Sequence, residues 1–150
     1  MKLKFLGIAG LALLAACSNT EGAGSGAGGN IRPGSQEDLV ANVGDRVFFD
    51  YDRSSIRADQ RPVLQRQAEW MARYPEVRVQ VEGHADERGT REYNLALGQR
   101  RANAARDALV AGGVNGARVS TISYGKDQPA SLGSDESAWA QNRRAVTVVQ

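Results

Sequence analysis

At 150 residues, with 41% apolar and 24% charged side chains, the chain has the size of one ordinary domain with a tail. Its formal charge of +2 counts Lys2 and Lys4, which lie in a stretch expected to be removed; without them 17 Lys and Arg face 17 Asp and Glu. A neutral mature chain excludes bulk electrostatic capture of nucleic acid, and a single cysteine excludes an internal disulfide.

Residues 1–16 read as a secretion signal. Lys2 and Lys4 form a charged start, and Phe5 to Leu14 is an apolar core too short to span a bilayer stably. The core ends in Leu14-Ala15-Ala16-Cys17, small residues before the lone cysteine, and so resembles the bacterial lipobox. That resemblance implies cleavage before Cys17, a diacylglycerol on its sulfur and an acylated new N-terminus; more than one acyl chain makes such anchoring stable. An ordinary signal peptide with an incidental cysteine is the alternative. Ser18, not Asp, follows Cys17, which by the sorting rule of enteric-type bacteria favours the outer membrane.

Residues 17–44 are expected to be a lipidated, glycine-rich tether, with Gly22, Gly24, Gly26, Gly28, Gly29 and Gly34 and almost nothing apolar to bury. The 27 residues from Ser18 to Gly44 span about 30 Å relaxed and roughly 90 Å pulled straight. Within them Ser35 is placed to cap a short helix, with Asp38 three residues on. Leu39, Val40 and Val43 form its apolar side and Gly44 its stop.

The domain proper is expected over 45–150. Val47 to Asp52, β-branched and aromatic, reads as a strand that ends in a polar loop. From Pro62, suited to a first helical turn, a helix runs to Pro75; Leu64, Ala68 and Met71 form its buried face, and Arg66, Gln67, Glu69 and Arg73 its solvated one. Val77 to Glu82 is a second strand. A long helix from about Glu92 to Ala111 buries Leu95, Ala102, Ala105 and Leu109 and stops at Gly112-Gly113. Val119 to Tyr124 is a third strand. Asp135 to Gln141 is a short helix capped by Ser134, and Ala145 to Val149 the last strand. The order β-α-β-α-β-(α)-β predicts an α/β two-layer sandwich on a mixed four-stranded sheet.

The chemistry gathers where the second strand meets the long helix, in Gly83-His84-Ala85-Asp86-Glu87-Arg88-Gly89. A metal site is disfavoured, because His84 is the only histidine and there is no HExxH pattern. A serine hydrolase is disfavoured by the absence of a GxSxG elbow. What remains is an acid at a strand end and an arginine inside the helix. Asp86 faces Arg101, with Asn94 on nearly the same helix face two turns earlier, Leu97 between them and Asp52 in the nearby loop. Both signs of charge on one cleft suit a zwitterion, an ammonium on the carboxylate and a carboxylate on the guanidinium; the free N–H groups at the helix start add a further anion site. Arg100, Arg101, Arg143 and Arg144 also have a plain reading as ion pairs within the domain or at its surface, most readily for Arg144.

The segments Val47-Phe-Phe-Asp-Tyr-Asp52, Gly83-His-Ala-Asp-Glu-Arg-Gly89 and Asn94-x-x-Leu97-x-x-x-Arg101-Ala102 resemble the OmpA-like peptidoglycan-binding domain family. With Ser123-Tyr-Gly-Lys126, Asn142-Arg-Arg144 and the lipobox, the chain resembles its lipoprotein branch. That resemblance implies that Asp86 and Arg101 hold the diaminopimelate of a peptidoglycan stem peptide, that Tyr51 and Asp52 complete the pocket, and that Asn94 and Leu97 order and wall it. It implies no catalysis, no metal and no cofactor. The implied partners are the cell wall, TolB and the other Tol-Pal components, with the domain in the periplasm, the anchor in the outer membrane, and roles in envelope integrity and division. Gly98 stands where many members of the wider family carry Ser and is expected only to loosen the helix, by about 1 kcal/mol against Ala. Removing Asp86 or Arg101 is expected to cost wall binding and leave the fold intact. The rivals are an enzyme acting on peptidoglycan, disfavoured because Asp86 and Glu87 are adjacent in one turn, and a wall anchor of another envelope assembly.

Overall fold

The computed structural model describes residues 29–150; the signal peptide, Cys17 and the first part of the tether lie outside the described residues. In chain order the elements are α1 (Gln36–Asp38, continued by a π-turn Leu39–Val43), β1 (Arg46–Phe48), α2 (Arg61–Arg73), β2 (Val79–His84), α3 (Arg91–Ala111), β3 (Val119–Gly125), α4 (Glu136–Asn142) and β4 (Arg144–Val149). The sheet order is β1-β4-β2-β3. β2 and β3 are parallel, joined by the crossover through α3 that such pairing needs, and β4 runs antiparallel between β1 and β2. This is the expected two-layer α/β arrangement with a mixed four-stranded sheet. Among the described residues, no helix is long and apolar enough to cross a membrane.

The core lies between one sheet face and the helices α2 and α3. Val47, Val79 and Val81 point into it from the strands, Leu64, Ala68 and Met71 from α2, and Ala102, Ala105 and Leu109 from α3. Several expectations shift here. β1 stops at Phe48, not Asp52, because its partner β4 begins at Arg144, opposite Phe48. Phe49 still donates its N–H to the Arg143 carbonyl at 2.9 Å, but the chain then turns, with Asp52 at φ 55°. β2 runs two residues later than expected, ending at His84. Leu95 is only half-buried, whereas Leu97 and Gly98 are buried, so the sheet-facing stripe of α3 passes through Gly98. Gln67 is not solvated: it donates to the Gly44 carbonyl at 2.9 Å and accepts from the Thr147 hydroxyl at 2.7 Å, joining α2 to the segment before β1 and to β4. α4 is capped by Asp135, whose carboxylate accepts from Ala138 N, one residue after the expected Ser134.

Residues 35–44 fold onto the domain. Ser35 caps α1 as its spacing predicts, and Gly44, at φ 102°, ends the turn. Leu39 and Val43 are buried, while Val40 is exposed. Asp38 is the knot: its carboxylate accepts from Gly34 N, Asn42 Nδ2 and Trp70 Nε1 at 2.7–2.9 Å. The Gln36 side chain donates to the Thr147 carbonyl and accepts from Val149 N, pairing the edge of β4 where β1 no longer covers it. Val149 pairs with Val79, the first residue of β2. The tether therefore joins the domain at the opposite end of β2 from the Gly83–Gly89 turn, roughly 17 Å away.

One contact sets how close α3 lies to the sheet. A Cβ built on Gly83 would stand 1.7 Å from the Gly98 carbonyl oxygen, and one on Gly98 would stand 2.3 Å from Ser123 Oγ. Gly98 thus allows backbone-to-backbone approach beyond any loosening of the helix: its added Cβ would also stand 2.9 Å from the Gly83 carbonyl oxygen, and Ser123 is held in place by donating to the Leu95 carbonyl at 2.6 Å. Gly83→Ala is expected to cost about 3 kcal/mol, because backbone must move by more than about an ångström; Gly98→Ala should cost less, because its backbone overlap is smaller, though the Ser123 bond is lost. Urea melts of the two variants measure this, and an unchanged midpoint for Gly83→Ala would contradict the packing.

Candidate functional site

Asp86 follows β2 by two residues, and the ladder still holds at Ala85, whose N–H donates to the Gly125 carbonyl at 2.8 Å. Its carboxylate is almost wholly buried, and the arginines within ion-pair distance of it are Arg88 and Arg143, with Arg101 near but not paired to it. Arg88 donates from Nη2 to Oδ2 at 2.8 Å, and from Nε and its own backbone N–H to Oδ1 at 3.2 and 3.1 Å. Arg143 stands 3.6 Å from Oδ2, fixed by hydrogen bonds to the Phe49 carbonyl and Glu136. Burial pushes the Asp86 carboxyl up, but the side-chain and backbone hydrogen bonds from Arg88, with the charges of Arg88 and Arg143, outweigh it and hold the group below the usual Asp value.

Arg101 is completely buried in α3 and acts as a three-way brace. Nε donates to the Arg53 carbonyl at 2.8 Å, Nη1 to the His84 carbonyl at 2.9 Å and Nη2 to the Asp50 carbonyl at 3.1 Å. That uses three of the five guanidinium N–H groups. Burial lowers its pKa to about 10, opposed chiefly by the charge of Asp86, so it remains a cation at neutral pH. The geometry corrects the expectation that Arg101 can be removed without cost to the fold.

All six residues expected at the site line one small cleft of about 60 Å³: Tyr51, Asp52, Asp86, Asn94, Leu97 and Arg101. Leu97 forms an apolar wall. Asn94 donates from Nδ2 to the Arg88 carbonyl at 2.9 Å, which orders the turn before α3. Thr90 caps α3 and takes the N–H of Tyr93, one of the free donors expected at that helix start. Asp52 accepts a hydrogen bond from the Tyr93 hydroxyl. Tyr51 is 59% exposed and sits at the mouth. Three further residues belong here that the spacing argument missed. Arg88 and Tyr93 line the cleft, and Trp139, from α4, stacks on Arg88. Arg88 lies within the quoted turn, but only the fold brings Trp139 to it across more than fifty residues of chain. A larger groove of about 360 Å³ between α2 and α3, lined by Ile56, Leu64 and Ala108 among others, is mostly apolar and lacks paired charges of opposite sign.

His84 does not line the cleft. Its carbonyl serves Arg101, while its buried ring stacks on Tyr124 and has no hydrogen-bond partner; Glu82, at 3.6 Å, is too far to supply one. Burial, then the charges of Arg144 and Arg46, holds its pKa down to about 4. Arg144 is structural: its Nη atoms donate to the Asn142 and Gln128 carbonyls. Among the described residues, no group of three or more His, Cys, Asp or Glu is placed to hold a metal ion.

Two outcomes follow from this geometry. Arg101→Ala strands three carbonyls and should cost roughly 3 to 5 kcal/mol of stability, read as a lower denaturation midpoint; an unchanged midpoint would disprove the brace. His84 is neutral when folded, yet an unfolded imidazole takes its proton near 6.5. Stability from this group is therefore complete above pH 6.5 and is lost as pH falls toward 4, by about 3 kcal/mol. The imidazole NMR resonance of this single histidine should stay unprotonated down to about pH 4; ordinary titration near 6.5 would contradict the buried, neutral ring.

Comparison with known proteins places this geometry in context. The OmpA family model matches residues 48–143, which hold all six site residues. A curated protein of Rhizobium meliloti is 60% identical over 132 residues, covering 88% of this chain and 74% of the relative. One of Agrobacterium fabrum is 57% identical over 143 residues, covering 91% and 81%. Both are named peptidoglycan-associated lipoprotein. The crystal structure of the protein of that name from Burkholderia pseudomallei is 46% identical, with a TM-score of 0.69 over 71% of this chain and 90% of that one.

Proposed function

The chain belongs to the OmpA family and, within it, to the peptidoglycan-associated lipoproteins; on that premise we propose that it is an envelope lipoprotein that binds the cell wall without reacting with it. The observation that carries the reading is the cleft itself, which is lined by both the Asp86 carboxylate and the Arg101 guanidinium, two of whose five N–H groups remain unspent. The ligand we propose is the diaminopimelate of a peptidoglycan stem peptide, whose free end carries an ammonium and a carboxylate on one carbon. Asp86 accepts from the ammonium and Arg101 donates to the carboxylate. Tyr51 and Asp52 close the mouth, and Asn94 and Leu97 shape the wall. An ammonium–carboxylate pair held by fixed, opposite charges has no reacting partner here, which supports binding over catalysis.

The rest of the proposal concerns placement. Cys17 carries the acyl chains in the outer membrane, the glycine-rich tether sets the reach, and the domain works in the periplasm. Kinship with the peptidoglycan-associated lipoproteins supports membership of the Tol-Pal system. There TolB competes with the wall for the same surface, in the service of envelope integrity and of outer-membrane constriction at division.

The test is Asp86→Asn, which keeps the shape and the turn and removes the charge. Pull-down with purified sacculi should show at least about tenfold weaker binding, with an unchanged circular dichroism spectrum. Binding as tight as wild type would sink the site, and release of soluble wall fragments by the unaltered protein would sink the non-catalytic reading. Failure of the chain to co-purify with TolB would count against the Tol-Pal assignment alone.

A further inference from the structure

We propose that Arg88 is an internal competitor for the ligand's ammonium group: it occupies Asp86 in the free protein and must swing out before Asp86 can be reached. The proposal rests on the diaminopimelate reading of the cleft and adds a gate to it.

Three observations carry it. First, the Asp86 carboxylate is already engaged, with the Arg88 guanidinium on both of its oxygens at 2.8 and 3.2 Å. Second, that guanidinium lies between two aromatic faces, its central carbon 3.9 Å from the Tyr51 ring centroid and 4.0 Å from the Trp139 ring centroid. Trp139 is steadied by donating from Nε1 to Glu87 at 2.9 Å. Two rings above a carboxylate make a cage for a cation, and the chain fills it with one of its own. Third, Arg88 itself lines the cleft beside Tyr51 and Asp86, so its side chain takes up room at the mouth that a ligand ammonium would have to enter.

Of the cations around Asp86, Arg88 is the one built to move. Arg143, also near Asp86, is 6% exposed at its side chain and pinned by the Phe49 carbonyl and Glu136. Arg101 is locked by three carbonyls. The Arg88 side chain is 29% exposed, at the mouth beside Tyr51. Its backbone N–H bond to Asp86 Oδ1 does not depend on the side chain, so Asp86 stays aimed when the guanidinium leaves. The ligand ammonium then inherits the carboxylate and the two rings. Affinity is reduced by the fraction of molecules in which Arg88 stays seated.

The experiment titrates the full-length chain in detergent with a diaminopimelate-containing muropeptide, comparing wild type, Arg88→Gln and Asp86→Asn by calorimetry, with Arg88→Ala as a second variant and thermal melts as the fold control. Arg88→Gln and Arg88→Ala should bind about three- to tenfold tighter than wild type. In the wild type, the Arg88 Nε–H resonance, shifted by the two rings, should move to its solvent value as the peptide saturates. If both Arg88 variants bind equally or more weakly, or the resonance stays put, while Asp86→Asn still loses binding, Arg88 is no competitor and the wall-binding site stands. Undiminished binding by Asp86→Asn removes the site reading and the gate with it.

Discussion

The arrangement turns on a buried guanidinium with no carboxylate bonded to it. Taking the Arg101 cation out of water costs several kcal/mol, which is offset by three backbone carbonyls, the Phe49 ring 5.3 Å away and the nearby charges of Asp86 and Asp52. Those carbonyls come from the turn after β1 and from the last residue of β2, so one side chain of α3 ties both loops of the cleft together. The tie needs α3 close to the sheet. Gly83 against Gly98 and the small side chains of Ala102 and Ala105 allow that approach, so the packing of the core and the geometry of the site are one problem.

Around that brace the charges divide into fixed and movable groups. Arg101, Arg143 and Arg144 each donate to backbone carbonyls, Arg143 also to Glu136, and act as scaffold. Asp86 stays ionised because two arginines outweigh the cost of its burial. Arg88, at the rim, is held by a carboxylate and two rings, interactions that a competing cation can replace. His84, the single histidine, is neutral, has no hydrogen-bond partner on its ring and lies outside the cleft.

The entry of the chain into the domain is separated from the cleft by the length of β2. Asp38 gathers Gly34, Asn42 and Trp70, and Gln36 pairs the free edge of β4, so residues 34–44 are fastened to α2 and to the sheet before β1 begins. A pull arriving from the N-terminal side is first borne by these hydrogen bonds, at the far end of β2 from Asp86.

Local chemistry alone determined much of this. The alternation of Val77, Val79 and Val81, the stop at Gly112-Gly113, the Ser35 cap and the spacing of Asp86, Asn94, Leu97 and Arg101 are short-range patterns; they are enough to assemble the α/β order and, with Asp52 in the nearby loop, five of the six cleft residues, while Tyr51 is implied by the family resemblance alone. What needed the folded chain were features made by partners distant in sequence. β1 ends at Phe48 because β4 begins at Arg144; Gln67 is buried because Gly44 and Thr147 reach it; Gly98 is a contact because Gly83 lies beneath it. Arg101 was read as a free hand for a ligand, yet most of its donors hold the backbone, since a buried cation must satisfy its N–H groups wherever carbonyls are offered. Trp139 joins Arg88 only because α4 and the Gly83–Gly89 turn meet at one end of the sheet, a meeting set by packing and invisible to any periodicity along the chain.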